Sequence, residues 1–343
     1  MTTERRLRRP SATEGISGPA ELLQAVPYLL GFHPLRSLVL VGLDAGLLVV
    51  TARLDLVDAQ APDVVASTIQ AMHLGGSTSI VAAVYDDDAA IGAAGADLPW
   101  SAVAASVGRD ADALGCQAVD VLLVIGDRWW SYVCTEPECC PADGNPMPDG
   151  PSAFTAAATY AGVVALPDRA ALAAVLDPLP DDERDRLGAQ LAMAENATVA
   201  AALEGHAQRH GSSIKRALFA AARGADEPCW PGIADADAAR FGAALSVVTM
   251  RDALWMAVDD GRLDGRALWR DLGRRLPSPY DASPLFLFGW AAWRAGDGAL
   301  AGIAAERAIA SDPGYSAADL LLAALARGVD PRRLPRLRLP RSA

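Results

Sequence analysis

The sequence predicts an α/β domain with a mixed sheet, followed by an all-α, tetratricopeptide-like helical domain. Three observations carry that reading. Two β-rich runs, residues 37–41 and 47–54, flank a short Gly-bearing turn and so should pair antiparallel. Residues 79–85 and 119–125 are nearly continuous apolar runs separated by a helical stretch, the pattern of strands covered on both faces. From Ser152 onward the β signal all but vanishes, and helical runs punctuated by Pro and Gly take over.

The first helix starts at Ser17-Gly18-Pro19, with Ser17 as cap and Pro19 in the first turn. Leu22, Leu23, Val26, Leu29 and Leu30 repeat at helical spacing and Gly31 ends the pattern, while Pro27 predicts a kink or a break. Gly42-Leu43-Asp44-Ala45-Gly46 reads as the turn between the first two strands. A helix over 62–74 places Val65, Ile69 and Met72 on one face and closes at Gly75-Gly76. An Ala-rich helix covers 100–114. Gly126-Asp127 is a two-residue hairpin signal, with 128–134 as the return strand. Helices then run through 151–162, 168–176, 181–204, 212–223 and the C-terminal third. The expected organisation is a flexible basic tail (1–16), an α/β domain ending in a Cys-rich loop (17–150), a helical connecting region (151–239), a tetratricopeptide-like region (240–330) and a basic Pro-rich tail (331–343).

The repeat reading rests on spacing. Ala267 and Pro279 recur 34 residues later as Ala301 and Pro313. Gly289, Ala301, Ala308 and Pro313 fall where a tetratricopeptide repeat places small residues and its stop. Small residues let two antiparallel helices approach closely. In the earlier copy Trp255 and Arg274 stand at such positions, so a plain helical bundle is the alternative.

The totals exclude some classes. The chain has 343 residues, 52% hydrophobic and 21% charged, as in a folded protein with a real core. The net charge is −12; residues 1–10 contribute +3 and residues 331–343 contribute +5, so the body between carries −20. Such a body repels phosphate backbones, which argues against nucleic acid. The basic ends are read as solvated tails, or as segments that touch an anionic surface or fold back on the acidic body. No apolar segment follows the N-terminal arginines as a signal peptide would require, and the longest apolar run, 284–293, is about half the ~18 residues of a membrane span. The expectation is a cytoplasmic protein without a membrane span.

Candidate chemistry concentrates in Arg128-Trp129-Trp130-Ser131-Tyr132-Val133-Cys134-Thr135-Glu136-Pro137-Glu138-Cys139-Cys140-Pro141, which holds three of the five cysteines and two of the eight tryptophans. Cys134, Cys139 and Cys140 can offer three thiolates to zinc, with His33 or Cys116 as a fourth ligand, although adjacent cysteines do not easily face one tetrahedral ion. A thiol–disulfide switch and plain packing are the other readings. On a strand, Arg128, Trp130, Tyr132 and Cys134 share one face, which can form a flat ligand platform or simply core. Asp86, first of three aspartates after a strand, sits where α/β folds bind cations and phosphates and where turns use Asp as a cap; Asp127 ends another strand. His33, Arg36 and Ser37 make the loop before the first strand a polar candidate. His206 and His210 share a helix face but lack H-E-x-x-H. No phosphate loop, G-x-G-x-x-G or G-x-S-x-G occurs, and Lys215 is the single lysine, so the S-x-x-K at Ser212 cannot be followed by K-T-G.

Residues 22–40 (LLQAVPYLLGFHPLRSLVL), the RWWSYVCTEPECCP run and GWAAWRAGDGALAGIAAERAIASDPGYSAADLL together resemble an actinobacterial family catalogued as domain of unknown function 4192, over about residues 17–331. The resemblance implies a cytoplasmic actinobacterial protein and brings no catalytic residues with it. The functional expectation is a binding or regulatory protein with a helical protein-interaction surface, a protein partner and room for a small molecule; whether it is also an enzyme is open, and the cofactor is unknown, with zinc as the candidate. The alternative is a metal-assisted hydrolase or transferase using the His33/Asp86/Cys134 region.

Overall fold

The structure, a computed structural model, describes residues 16–92, 97–227 and 229–337. Nearly all of the N-terminal basic tail, and residues 338–343 of the C-terminal one, lie outside the described residues. Two compact units are present. One lies within Met1–Leu172 and takes in Ala326–Asp330; the other comprises Ala173–Leu325 and Pro331–Ala343, each over its described residues.

The first unit opens with α1 (Gly18–Leu30). Ser17 does not cap it through its side chain; its N–H instead donates to Glu21 Oε2 at 2.7 Å. Pro27 does not break the helix: it lies in the last turn, and its carbonyl accepts the terminating N–H of Gly31. Strands β1 (Ser37–Asp44) and β2 (Leu47–Asp55) run further than expected, because the turn is only Ala45-Gly46. Both turn residues have positive φ (48° and 78°), which suits a tight hairpin of right-twisted strands. The short α2 (Leu56–Ala59) was not foreseen; α3 (Pro62–Leu74) and β3 (Ser79–Tyr85) fall where the periodicity placed them. Then come α4 (Ser101–Ala113), β4 (Gln117–Ile125), β5 (Arg128–Ser131) and β6 (Asn145–Pro146). The expected strand 128–134 stops at Ser131: the Tyr132 N–H still bonds the Val121 carbonyl, but the Ser131 hydroxyl takes those of Val133 and Cys134 out of the ladder.

The six strands form one mixed sheet in the order β2-β1-β3-β4-β5-β6, in which only β3 and β4 are parallel. Their crossover is α4, as parallel strands require. Alternate residues Leu38, Leu40, Ile80, Val84 and Leu123 face Ile69 and Met72 of α3 and Val103 and Val107 of α4 in one core. The intervening Val39, Val41, Ala83 and Leu122 are buried as well, so the central strands are apolar on both faces. Two further helices follow: α5 (Ala153–Tyr160), capped by Ser152 Oγ on the Thr155 N–H, and α6 (Arg169–Ala174).

The remaining helices are α7 (Asp181–Leu203), α8 (Ala207–Gly224), α9 (Asp235–Leu245), α10 (Val248–Asp259), α11 (Arg266–Arg275), α12 (Ala282–Arg294), α13 (Gly298–Ser311) and α14 (Ser316–Ala326). Helix α8 begins earlier than expected, with His206 at its N-cap and Gly211 inside it. The apolar run becomes α12, buried from Ala282 to Trp293, and α10, α11 and α13 all pack on it. Trp255 meets Phe286 edge-on at 4.8 Å and Trp290 at 5.0 Å. The close approach of α12 and α13 is made at Gly289, where a Cβ would stand 3.1 Å from the Ala301 carbonyl and 3.2 Å from Ala304 Cβ. Gly289→Ala is therefore expected to cost about 1–3 kcal/mol through overpacking, read as a lower urea midpoint at unchanged slope. An unchanged midpoint would mean that the two helices are not so closely set.

The start of the C-terminal tail is tethered, although Arg332, Arg333, Pro335 and Arg336 stay exposed. Residues 331–337 fold back onto Asp259: Arg336 donates to its carbonyl and the Leu337 N–H to its Oδ2 at 2.6 Å. Among the described residues, no single helix is long and apolar enough to cross a membrane.

Candidate functional site

The Cys-rich loop is framed at both ends by β5. Ser131 is the first anchor. Its hydroxyl donates to Asp120 Oδ1 at 2.7 Å and accepts the N–H groups of Val133 (3.0 Å) and Cys134 (2.9 Å). Asp120 is a carboxylate in a largely apolar strand; burial raises its pKa, while the bonds from Ser131 and the Val121 N–H oppose that rise. Next, the Glu136 carbonyl accepts the N–H groups of Cys139 (3.2 Å) and Cys140 (2.8 Å), closing a turn between Pro137 and Pro141. The return limb is held from β5 as well. Trp130 Nε1 donates to the Ala142 carbonyl at 3.2 Å, and Arg128 to those of Asp143 and Gly144 at 3.0 and 2.9 Å. Asn145, paired with Trp129 across β5 and β6, donates through Nδ2 to the Cys139 carbonyl at 3.0 Å. Gly144 has φ +78° and lies against the face of the Trp130 ring, where no Cβ fits.

This frame brings three sulfurs together. Cys134 Sγ is 2.9 Å from Cys139 Sγ, Cys139 Sγ is 3.9 Å from Cys140 Sγ, and all three lie within 4.8 Å of one another. The adjacent pair does converge, contrary to the objection from sequence, because the turn at Glu136 turns both side chains to one side. Cys139 is exposed, and its two neighbours are partly so. The S–H groups of Cys139 and then Cys140 stabilise a Cys134 thiolate and lower its pKa. The same bond to Cys134 raises Cys139, and burial followed by its bonds to the other two thiols pushes Cys140 up to about 12. In metal-free protein, brief alkylation near neutral pH is therefore expected to label Cys134 first and Cys140 last, with Cys140 labelling still rising toward high pH. Equal rates by peptide mass spectrometry would contradict the arrangement.

Arg128, Trp130 and Tyr132, the expected ligand platform, spend their polar atoms on the loops around them; the Tyr132 hydroxyl donates to the Pro99 carbonyl. The other candidates gather elsewhere. The row Ser37–Tyr85–Val124–Trp129 crosses the sheet, so the loop before β1 and the aspartates after β3 share one sheet end. There Arg36 lies 3.7 Å from Asp88, and Asp87 accepts the Gly126 N–H at 2.9 Å. Ser37 is fully buried, donating to the Leu35 carbonyl and accepting from Arg53 Nε, both at 2.7 Å. Asp86 is buried; its Oδ2 accepts Trp100 Nε1 at 2.8 Å, and Oδ1 has no partner among the described residues. His33 is exposed, its backbone N–H bonded to the Leu166 carbonyl. The strand order puts three strand spacings, about 14 Å, between β1 and β5. His33 is thus apart from the cysteines. Cys116 is apart too: it is core, with its S–H on the Ser77 carbonyl at 3.3 Å.

A family model spans residues 19–332, most of the chain. The chain belongs to the family described as domain of unknown function (DUF4192). No curated protein and no solved structure shows significant similarity to it. In this DUF4192 chain His206 and His210 sit at the start of α8, His206 3.7 Å from Glu204 and His210 3.4 Å from Thr198 Oγ1. The shallow surface hollow beside them, about 330 Å³, is lined by Gly205, His206, Gln208, Arg209 and Ser212. The residues that sequence reasoning missed in the DUF4192 loop are Asp120, Ser131, Gly144 and Asn145. Two signals pointed to them: a carboxylate inside an apolar run, and the turn sequence Asp143-Gly144-Asn145.

Proposed function

We propose that this DUF4192 protein is a cytoplasmic regulatory binding protein, in which Cys134, Cys139 and Cys140 act as one sensing site and the helical unit offers a tetratricopeptide-like surface to a protein partner. The observation that carries the reading is the convergence of three accessible sulfurs within 4.8 Å on a loop braced by β5. Loops that hold reactive groups on rigid scaffolds are where binding and sensing concentrate. Support for a partner surface comes from outside the tetratricopeptide-like region, on the far half of α7, where Val199 and Leu203 share one helix face and are 57% and 84% exposed. The distance between His33 and the cysteines weighs against the metal-assisted hydrolase or transferase.

The test is a residue-resolved thiol count on full-length protein before and after stoichiometric hydrogen peroxide or Zn²⁺. Zn²⁺ is expected to protect all three of Cys134, Cys139 and Cys140, and one equivalent of peroxide to remove two of them as a disulfide with two waters released, with Cys229 still labelled under both. Three cysteines that remain as free as Cys229 under both treatments would refute the sensing site.

A further inference from the structure

We infer that Cys134, Cys139 and Cys140 form a three-thiolate site for a soft d10 metal cation, with zinc as its ligand and the fourth coordination position left to an exogenous donor. This rests on the sensing-site reading above and names its ligand. A disulfide switch needs two sulfurs, and here the third stands in the same cluster. Tetrahedral zinc at about 2.3 Å from each sulfur sets the sulfurs about 3.8 Å apart. Cys139 and Cys140, 3.9 Å apart, already match that edge, all three sulfurs lie within 4.8 Å, and the 2.9 Å between Cys134 and Cys139 has to open by about 0.9 Å to span the ion. The frame is in place without the ion: Ser131 holds the Cys134 N–H, the Glu136 carbonyl holds those of Cys139 and Cys140, and Asn145 holds the Cys139 carbonyl. Such outer contacts orient ligands and are part of a metal site's affinity. Softness follows from the donors, since thiolates select zinc or cuprous copper over magnesium or calcium.

Among the described residues, no fourth His, Cys or carboxylate ligand atom joins the triangle. Structural zinc sites close with four protein ligands, whereas sites with three keep a position for another molecule. Cys139 lies at the surface, so that position is reachable by a small thiol, an imidazole or a donor from a partner.

Full-length protein, stripped of metal and kept reduced, is titrated with Zn²⁺ against a chromophoric chelator and separately with Co²⁺, whose absorption reports thiolate ligands. One Zn²⁺ per chain is expected, with affinity falling by at least about 100-fold in Cys139→Ser and in Cys140→Ser, a larger loss than that of an outer contact. Cys116→Ser and Cys229→Ser should bind as wild type, and imidazole should change the Co²⁺ spectrum by entering the fourth position. Circular dichroism of each variant separates lost binding from lost fold. No zinc uptake, or equal loss in the Cys229→Ser control, overturns the proposal. If zinc fails while one equivalent of peroxide still joins two of the three thiols as a disulfide, releasing two waters, and spares Cys229, the metal assignment falls and the sensing reading stands; if neither occurs, both fall.

Discussion

Asp259→Ala is expected to lose about 3–5 kcal/mol of stability, the usual result of removing one partner of a buried ion pair. Asp259 is fully buried at the end of α10. Its Oδ1 accepts Trp290 Nε1 at 3.0 Å and Arg294 Nε at 2.7 Å, and a second Arg294 nitrogen lies on the same oxygen. Its Oδ2 takes the Leu337 N–H. Alanine leaves the Arg294 guanidinium, only 10% exposed, without its counter-charge and the Trp290 N–H without its acceptor. It also removes the Leu337 N–H acceptor, one tether of the strap at residues 331–337, while the bonds from Arg336 and Arg294 remain, so proteolysis should clip the C-terminus somewhat sooner than in wild type. Asp259→Asn keeps an acceptor of the same shape and should lose less. Chemical denaturation of the three proteins checks this, and equal stability of Asp259→Ala and wild type would contradict the clasp.

Gly144→Ala is the second large effect expected, and it acts on the cysteines without touching them. The position has φ +78°, which costs a non-glycine residue about 1–2 kcal/mol. A methyl group there also meets the Trp130 ring, so the Ala142–Gly144 limb must move off β5 and carry the Cys139 turn with it. The alkylation order Cys134, Cys139, Cys140 should collapse toward a common rate, while β1, β3 and β4, whose packing on α3 and α4 Gly144 does not touch, stay folded, with Trp130 shifting at the edge of their core. Retention of that order in Gly144→Ala would show that the β5 bonds do not shape the loop.

Regular elements were legible wherever one physical rule acted alone. The α3 periodicity, the apolar β3 run and the apolar α12 each yield their element because burial of one stripe or both faces decides it. The failures occur where side chains compete with the backbone. Ser131 ends β5 three residues early by taking the N–H groups of Val133 and Cys134, and no local propensity announces this. Asp259 draws in a basic strap whose fold-back the charge asymmetry allowed but could not assign to a residue. The three cysteines were legible as a candidate thiolate set, but not the geometry that brings them together. Their convergence depends on one carbonyl, that of Glu136, accepting two N–H groups, and adjacency in sequence argued the other way.

The most direct test of the central claim, that the three sulfurs form one site, is residue-resolved alkylation of full-length reduced protein across a Zn²⁺ titration. Cys134, Cys139 and Cys140 are expected to become protected together, at one midpoint, while the exposed Cys229 keeps its rate. Three independent midpoints, or protection no greater than that of Cys229, would contradict it.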